Sequence, residues 1–431
     1  MGSTSAGHRV RSSNPFCTSC KHARHSRLPT YNETGMTTGR DGPNRSQYLL
    51  DLRQLRGGFG DQLWAMRVVS WFAERAGMSA HSVWFREAQR SWNAPLPVLD
   101  RLGLSNFITN AKALCPLGDQ RKLLRLDGVP PAELLPLLRR AGAAGSASQL
   151  PTIHQLVLSL PYLIALESHC ADANEDIGCS QLMTDIYDRM KQALLQSGRL
   201  RTNRVTLLFH WRLGDTICIP FRGRFISAWG RRDKPIQPPE TPEWVDSPEQ
   251  CRRLQLSLGR ITSVFDSLRQ SQADGPSYRT VLMTDGYDRG IATILRCKDK
   301  LGLTDAEARA ILDLKQDLAT ELMLAGGRSF DRVLYGESDD HFVEAIAEII
   351  QATGLVSPSG QFVFQILRSF SGCNARFFVG NLARMRAPLS ERCLTDRLNL
   401  ATIHRQQGDD TLRDLLERGL RYAQQPAGSG G

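Results

Sequence analysis

The segment RGGFGDQLWAMRVVSWFAERAG (Arg56–Gly77) joins a short apolar run to a helical pattern and decides how the chain begins to fold. The preceding run YLLDLRQL has the length and composition of a strand. Large apolar side chains then recur at i, i+4, i+7 and i+8, which is one face of a helix. They are Trp64, Val68, Trp71 and Phe72. Together with HSVWF (His81–Phe85) as a second strand, this strand–helix–strand unit predicts a parallel sheet.

The glycine-rich turn at the start of this segment suits an anion, because glycines let backbone N–H groups approach closely. The N-terminus of the helix behind it adds a partial positive charge. As a dinucleotide fingerprint the turn fails, since Leu63 stands at the third glycine position after Gly58 and Gly60. Further along, Glu87 fits the ribose-binding role poorly. A nicotinamide-dependent enzyme is therefore disfavoured.

The composition is that of a globular protein, with 41% apolar and 23% charged residues in a chain of 431, enough for two domains. A formal charge of +10 favours nucleic acid, a membrane surface or an anionic substrate, although a generally basic proteome explains it equally well. No run of five or six basic residues occurs, so we expect no nucleic-acid partner. No apolar run reaches the ~18–20 residues of a membrane span, so none is expected.

The first 46 residues predict a disordered basic tail. Within it, Cys17 and Cys20 form a lone C-x-x-C pair near His22 and His25, a spacing too tight for a zinc finger. We expect no metal site.

Three further cysteines, Cys218, Cys297 and Cys373, lie in apolar surroundings and are interpreted as small core residues. Free thiols favour a reducing compartment, so we expect a cytoplasmic location. An organelle or the secretory lumen remains an alternative.

A second α/β series begins with RVTLLFHWR (Arg204–Arg212), whose apolar run is typical of a parallel strand buried on both faces. A long loop is expected over 213–246, followed by a helix with Ser247 as N-cap and Pro248 in its first position. A terminal helix is expected over 394–423. The predicted division is a tail at 1–46, an N-terminal α/β domain at 47–200 on the acceptor side, a C-terminal α/β domain at 201–400 on the donor side, and a terminal helix with a tail at 401–431.

Ligands of open α/β sheets bind beyond the carboxyl ends of the strands, so the residues there carry the functional signal. In FHWRLGDT, His210 and Arg212 lie on the same side because side chains alternate along a strand, and Gly214 permits a sharp turn. An imidazole beside a guanidinium suits a nucleoside and a phosphate. An ion pair of Arg212 with Asp215 is the alternative.

Other strand ends add weaker signals. Asp285 in MTDG could accept both N–H groups of a guanine edge, or it could cap the next helix. Tryptophans near the long loop could stack on a sugar or pack in the core. They are Trp211, Trp229 and Trp244. In SDDHFVEAI a helix cap by Ser338 or Asp339 is favoured over a metal site.

In this order, GGFGDQLW, HWRLGD and TDG resemble motifs of the GDP-fucose-dependent fucosyltransferases, notably the rhizobial nodulation α1,6-fucosyltransferase and the protein O-fucosyltransferases. The motifs are short and spread over most of residues 48–385. The resemblance implies an α/β, GT-B-like fold of two facing Rossmann-type domains with largely parallel sheets. It also implies inverting transfer from GDP-fucose or a similar GDP-sugar to a glycan or protein acceptor, with no metal or other cofactor.

The same resemblance assigns roles in the second half. Arg212 would bind the β-phosphate of the donor and stabilise the charge that develops on the leaving GDP. His210 and Asp285 would contact the guanosine.

In the first half, Gly58, Phe59 and Gly60 would face the pyrophosphate and the sugar. FFVGNLARM falls where the family has a serine-rich loop near the phosphates, so Gly380 and Asn381 are expected on the donor side.

The chain departs from the family at the catalytic base. Pro220 occupies the position of the glutamate that deprotonates the acceptor in the α1,6 enzymes, and Gly286 replaces the second acid of TDD. The candidates for the base are Asp61, which stands where many relatives have Asn, Asp215 and Glu337. A non-catalytic relative that binds a nucleotide sugar or glycan is therefore an alternative. A basic polyanion-binding protein is a second one.

Overall fold

The structure is a computed structural model of the chain. It describes residues 46–55, 58–85, 96–109, 111–144, 152–200, 205–234, 241–271, 278–336, 338–358, 362–370, 372–380, 393–398, 400, 403 and 409–424. The tail predicted at 1–46, apart from Ser46, lies outside the described residues, and so do Cys17, Cys20, His22 and His25.

Four parallel strands form the first sheet, in the order β2–β1–β4–β3. The strands are β1 (Gln47–Asp51), β2 (Ser79–Trp84), β3 (Arg121–Arg125) and β4 (Ile153–Val157). The helices of this half are α1 (Phe59–Arg75), α2 (Leu96–Arg101), α3 (Ala111–Leu114), α4 (Leu134–Ala144), α5 (Leu160–Asp172) and α6 (Gln181–Gln196). The β1–α1–β2 unit confirms the parallel unit predicted from the opening segment.

The second half contains nine described strands. They are β5 (Val205–His210), β6 (Cys218–Phe221), β7 (Arg224–Ser227), β8 (Glu243–Val245), β9 (Tyr278–Thr284), β10 (Arg332–Tyr335), β11 (Gly354–Ser357), β12 (Phe377–Gly380) and β13 (Leu394–Arg397). The helices are α7 (Leu258–Gln270), α8 (Asp288–Arg296), α9 (Lys298–Leu301), α10 (Asp305–Ser329), α11 (Asp339–Gln351), α12 (Phe362–Ser369) and α13 (Asp409–Gln424).

Six of these strands form a second, wholly parallel sheet in the order β10–β9–β5–β11–β12–β13. Numbered along the chain, this order is 3-2-1-4-5-6, that of a doubly wound dinucleotide-binding sheet. The order reverses between β5 and β11, which makes the carboxyl ends of these two strands the switch point where ligands bind. The expected α/β class with largely parallel sheets is confirmed, whereas a domain boundary at residue 200 stays a prediction.

Three expectations for the second half are wrong. The long loop predicted at 213–246 contains β6, β7 and β8, which pair into an antiparallel sheet. Ser247 and Pro248 open only a 3₁₀ turn, because α7 begins at Leu258 with Ser257 as its cap. The helix expected from residue 394 begins at Asp409 instead, because Leu394–Arg397 pairs with β12 as the edge strand β13.

Cys218 is also not the free core thiol that its surroundings suggested, because it forms a disulfide with Cys251. The pairing could not be foreseen, since the two residues lie 33 positions apart. The expectation of a reducing, cytoplasmic location loses one of its supports.

The larger apolar core joins both sheets. It contains Leu50 and Leu156 from the first sheet together with Leu208 and Leu355 from the second. A separate core covers the opposite face of the second sheet. Because alternate residues of β5 enter the two cores, this strand is buried on both faces, as its sequence predicts.

Candidate functional site

At the switch point of the second sheet, the last residues of two neighbouring strands, a histidine and a serine, lie within hydrogen-bond distance of each other. His210 ends β5, Ser357 ends β11, and His210 Nδ1 lies 2.9 Å from Ser357 Oγ. Burial, and next the charge of Arg212, lower the pKa of His210 to about 3. The imidazole is therefore neutral near pH 7 and can act as a hydrogen-bonding group, not as a cation. Ser357 was missed, because its contact with His210 joins residues 147 positions apart.

Arg212 follows β5 and begins a tightly bonded turn. Its carbonyl oxygen accepts hydrogen bonds from Thr216 Oγ1 at 3.3 Å and from Gln255 Nε2 at 3.0 Å. The next N–H, that of Leu213, donates to Asp285 Oδ1 at 2.7 Å. Two strand ends predicted to share a site, those carrying Arg212 and Asp285, are thus joined directly by the backbone of the turn.

The fit between Asp285 and this turn requires glycine at position 214. Gly214 has φ +25, and a Cβ there would lie 2.0 Å from Asp285 Oδ2. The Asp285 carboxylate therefore supports the Arg212 turn. The guanine contact expected of it stays a prediction.

The backbone conformation at Gly286 explains why this chain has glycine where the family has the second acid of TDD. Gly286 has φ +75, a conformation that side chains other than glycine rarely adopt. A Cβ at this position would also lie 2.9 Å from the Tyr335 ring. An aspartate would not fit here.

On the other side of the site, the carboxylate of Asp61 caps the first turn of α1. Gly58 is its N-cap, and the Gly58 N–H donates to Asp61 Oδ2 at 3.1 Å. This N–H group is therefore occupied by a carboxylate in the described structure. Burial raises the pKa of Asp61, while the Gly58 N–H and the charge of Arg212 oppose the rise. Asp61 and Arg212, from distant parts of the sequence, thus lie within electrostatic reach of each other.

The remaining residues of the turn pack against the starts of two helices. Phe59 is buried and meets the Phe342 ring edge-on at 5.3 Å, while Phe342 lies 5.9 Å from Phe362. A Cβ on Gly60 would lie 3.2 Å from the Cα of Phe362. The Phe362 ring also lies 6.2 Å from that of His210. Phe342 and Phe362 were missed, because their spacing in α11 and α12 is that of ordinary core positions.

Other predicted residues are only partly described. Gly380 ends β12, and a Cβ there would lie 2.5 Å from the Phe378 ring. Asp215 belongs to the 3₁₀ turn, but its side chain is outside the described part, as are Glu337 and Asn381.

The core interpretation fits two of the tryptophans. Trp211 is buried, and Trp244 Nε1 donates to the carbonyl of Leu301 at 2.9 Å. Trp229 is half-buried, with the Arg253 guanidinium 4.6 Å from its ring centroid.

The predicted cap of α11 is confirmed at Ser338, whose Oγ accepts from the His341 N–H. Among the described residues, no group of three or more His, Cys, Asp or Glu side chains could hold a metal ion. No described helix is long and apolar enough to cross a bilayer.

No protein-family model matches the sequence, and no curated protein is significantly similar to it. Among solved structures, the chain is similar to the E. coli ADP-heptose LPS heptosyltransferase II, with a TM-score of 0.36 and 13% identity. The match covers 86% of this chain and 99% of that chain. At this distance the similarity says nothing about activity.

Proposed function

We propose that the protein is an inverting, metal-independent glycosyltransferase of GT-B type. It would move fucose, or a related sugar, from a GDP-sugar to a hydroxyl of a glycan or protein. The observation that carries this proposal is the site at the switch point of a doubly wound sheet, where His210 contacts Ser357 and the Arg212 turn is hydrogen-bonded to Asp285. Asp61, from the N-terminal half, interacts electrostatically with Arg212 at this site. The resemblance of the surrounding motifs to the fucosyltransferases supports GDP-fucose as the donor.

Arg212 is proposed to bind the donor diphosphate. Its guanidinium offers paired N–H donors to phosphate oxygens. When the bond from the anomeric carbon to the β-phosphate oxygen breaks, both bonding electrons leave with GDP. A cation held in place by the bonded turn stabilises this charge, and the stabilisation grows as the charge develops.

Asp61 is proposed as the base. An inverting transfer needs a group that takes the proton of the acceptor hydroxyl while its oxygen bonds to the anomeric carbon. Burial raises the pKa of Asp61 and so makes its carboxylate a stronger base. Asp61 Oδ2 accepts from Gly58 N, so Oδ1 is the oxygen proposed to receive the proton.

Isothermal titration with GDP, GDP-fucose and UDP tests the donor assignment. We expect GDP and GDP-fucose to bind, UDP to bind less tightly, and Arg212→Ala to lose most of the GDP affinity. Absence of GDP binding at millimolar concentration would show the proposal to be wrong. Asp61→Asn should keep GDP affinity and lose transfer, since it removes the base and leaves the phosphate contacts.

A second candidate is a nucleotide-sugar or glycan-binding protein without transferase activity. The observation that favours it is Pro220, which lies exposed in β6 at the position of the glutamate of the α1,6 enzymes. Slow turnover of GDP-fucose by the wild type, abolished in Asp61→Asn and Arg212→Ala, would exclude it. Tight GDP binding with no turnover in any acceptor mixture would favour it.

A further inference from the structure

A segment between β5 and α7, residues 217–257, extends the fold beyond the parallel sheet; we call it the insert. It contains the antiparallel strands β6, β7 and β8. The disulfide joins Cys218, at the first position of β6, to Cys251, close to the end of the insert. The disulfide therefore links the start of the insert covalently to a residue near its end.

Gln255 connects the end of the insert to that turn. Its Nε2 donates to Thr216 Oγ1 at 2.6 Å, to the Arg212 carbonyl at 3.0 Å and to the Thr216 carbonyl at 3.1 Å. One side-chain amide thus bridges the first and last residues of the turn. A carbonyl held this way restricts rotation of the peptide that follows Arg212, and so restricts the direction of its side chain.

The backbone around Gln255 lies outside regular helices and strands, and contacts within the insert hold the residues just before it. Cys251 pairs with Arg231 in an isolated bridge. Arg252 N donates to the Gly230 carbonyl at 3.1 Å, and Arg252 Nε donates to the Trp229 carbonyl at 3.2 Å. In addition, Cys251, four residues before Gln255, is covalently bonded to Cys218 of β6.

We propose that Gln255 is a positioning residue for Arg212 and that the Cys218–Cys251 disulfide holds Gln255 against the turn. This inference rests on the proposed function, because it assigns Gln255 to the diphosphate site. The described hydrogen bonds of the Gln255 side chain go to the main chain of Arg212 and to Thr216. Gln255 acts by fixing the main chain that carries the guanidinium.

Gln255→Glu tests the proposal, because it keeps the shape of the side chain and replaces the NH₂ donor by an acceptor facing two carbonyls. We expect the Kd for GDP to rise about tenfold, as for the loss of a half-buried hydrogen bond that supports a charged contact. The melting temperature should fall by about 2–4 °C, because two carbonyls would then face an acceptor in a half-buried site. Gln250→Glu is the matched control, since Gln250 Oε1 only accepts, from Asp246 N, and a glutamate keeps that bond.

The second arm tests the disulfide. Dithiothreitol transfers two electrons and two protons to the two sulfurs and ends as its own cyclic disulfide. Reduction should raise the Kd for GDP in the wild type, whereas the double variant Cys218→Ser, Cys251→Ser should start at the higher value and not respond. An unchanged Kd after complete reduction would refute the role of the disulfide.

Hydrogen exchange separates this inference from the proposed function. Peptides covering 211–217 should exchange faster in Gln255→Glu than in the wild type or Gln250→Glu, with or without nucleotide. If the wild type binds GDP and Gln255→Glu binds it equally well, the positioning role is wrong. If the wild type binds no GDP, the proposed function fails. Equal exchange at 211–217 in all three proteins would separately refute the positioning role of Gln255. Should Gln255→Glu not fold, Gln255→Met, which cannot donate, takes its place.

Discussion

His210 is a buried, uncharged imidazole whose environment makes protonation costly. Only 6% of the residue is exposed, and its pKa lies at about 3 because of burial and the nearby Arg212 charge. In the unfolded chain the imidazole titrates near pH 6.5. Between these two values the unfolded state binds a proton that the folded state does not. Stability from this group is therefore complete above pH 6.5 and is lost as the pH falls.

We expect His210→Gln to flatten the acid dependence of the free energy of unfolding. The wild type should lose about 1.4 kcal/mol per pH unit below pH 6.5 through this group, and the variant should not. Urea unfolding at pH 7, 6 and 5, compared between the two proteins, measures the difference. Parallel pH profiles would contradict a neutral, buried His210.

Two separate effects penalise any side chain at Gly214, and they can be measured separately. Its positive φ disfavours any side chain, and its Cβ would also strike Asp285 Oδ2. Gly223 has φ +72 and no atom within 4 Å of its Cβ position, so it is subject only to the first effect.

Gly223→Ala should destabilise the fold by about 1 kcal/mol through backbone strain alone. Gly214→Ala should cost about 1–3 kcal/mol more, because Asp285 must move away from the turn. Urea unfolding gives both values, and GDP titration should show a loss for Gly214→Ala only. Equal costs for the two variants would mean that Asp285 does not hold the turn.

At the scale of elements, the start of α1 is shaped by its contact with α12. The glycine-rich turn was interpreted as a place where backbone approaches a ligand. Gly60 instead lies directly against the backbone of Phe362, and the Gly58 N–H is occupied by Asp61. A phosphate at this helix start would have to compete with a carboxylate.

Gly60→Ala should therefore destabilise the fold by about 1–3 kcal/mol, since its Cβ would press on the Phe362 Cα at 3.2 Å. Gly259 is the matched position, because it is also the second residue of a helix, α7, and has open space around its Cβ position. Gly259→Ala should be neutral or stabilise by up to about 1 kcal/mol, as expected from helix propensity. Thermal unfolding of both variants shows whether the signs differ as expected.

The elements that sequence could predict are those with long, uninterrupted patterns. β1, α1, β2 and β5 have apolar runs or helical spacing that local rules recognise. β4 escapes them because His154 and Gln155 interrupt its apolar run although both are buried. The strands β6, β7 and β8 carry Arg, Pro and Trp without clear alternation of apolar and polar residues. A disulfide also joins the first residue of β6 to Cys251, which lies beyond β8.

The site shows the same limit. Local patterns placed His210, Arg212 and Asp285 at strand ends, which the structure confirms. The electrostatic interaction of Asp61 with Arg212 and the hydrogen bond from Gln255 to the Arg212 carbonyl depend on long-range packing. Such contacts leave no periodic trace in a single sequence.

At the scale of the whole molecule, a partly buried ion cluster connects helices from the two halves of the chain. Glu167 in α5 accepts from Arg67 of α1 at 2.8 Å and from Arg368 of α12 at 2.6 Å, both through Oε1. Arg67 also donates to the carbonyl of Ile177. Burial, and next the charge of Arg368, lower the pKa of Arg67 to about 10, while Glu167 opposes this shift. The single carboxylate therefore bridges two cations from distant parts of the chain, and one positive charge of the cluster is left over.

Glu167→Gln should destabilise the protein by about 1.5–3 kcal/mol, because the buried Arg67 and the half-buried Arg368 would then face each other across a neutral amide. Glu175→Gln is the control, since its pair with Arg75 lies at the surface, and such pairs contribute at most about 1 kcal/mol. Urea unfolding at pH 7 measures both. A similar small loss in the two variants would mean that water reaches the Arg67–Glu167–Arg368 cluster. In that case the apolar core shared by the two sheets, and not this ion cluster, would hold α12 against α1.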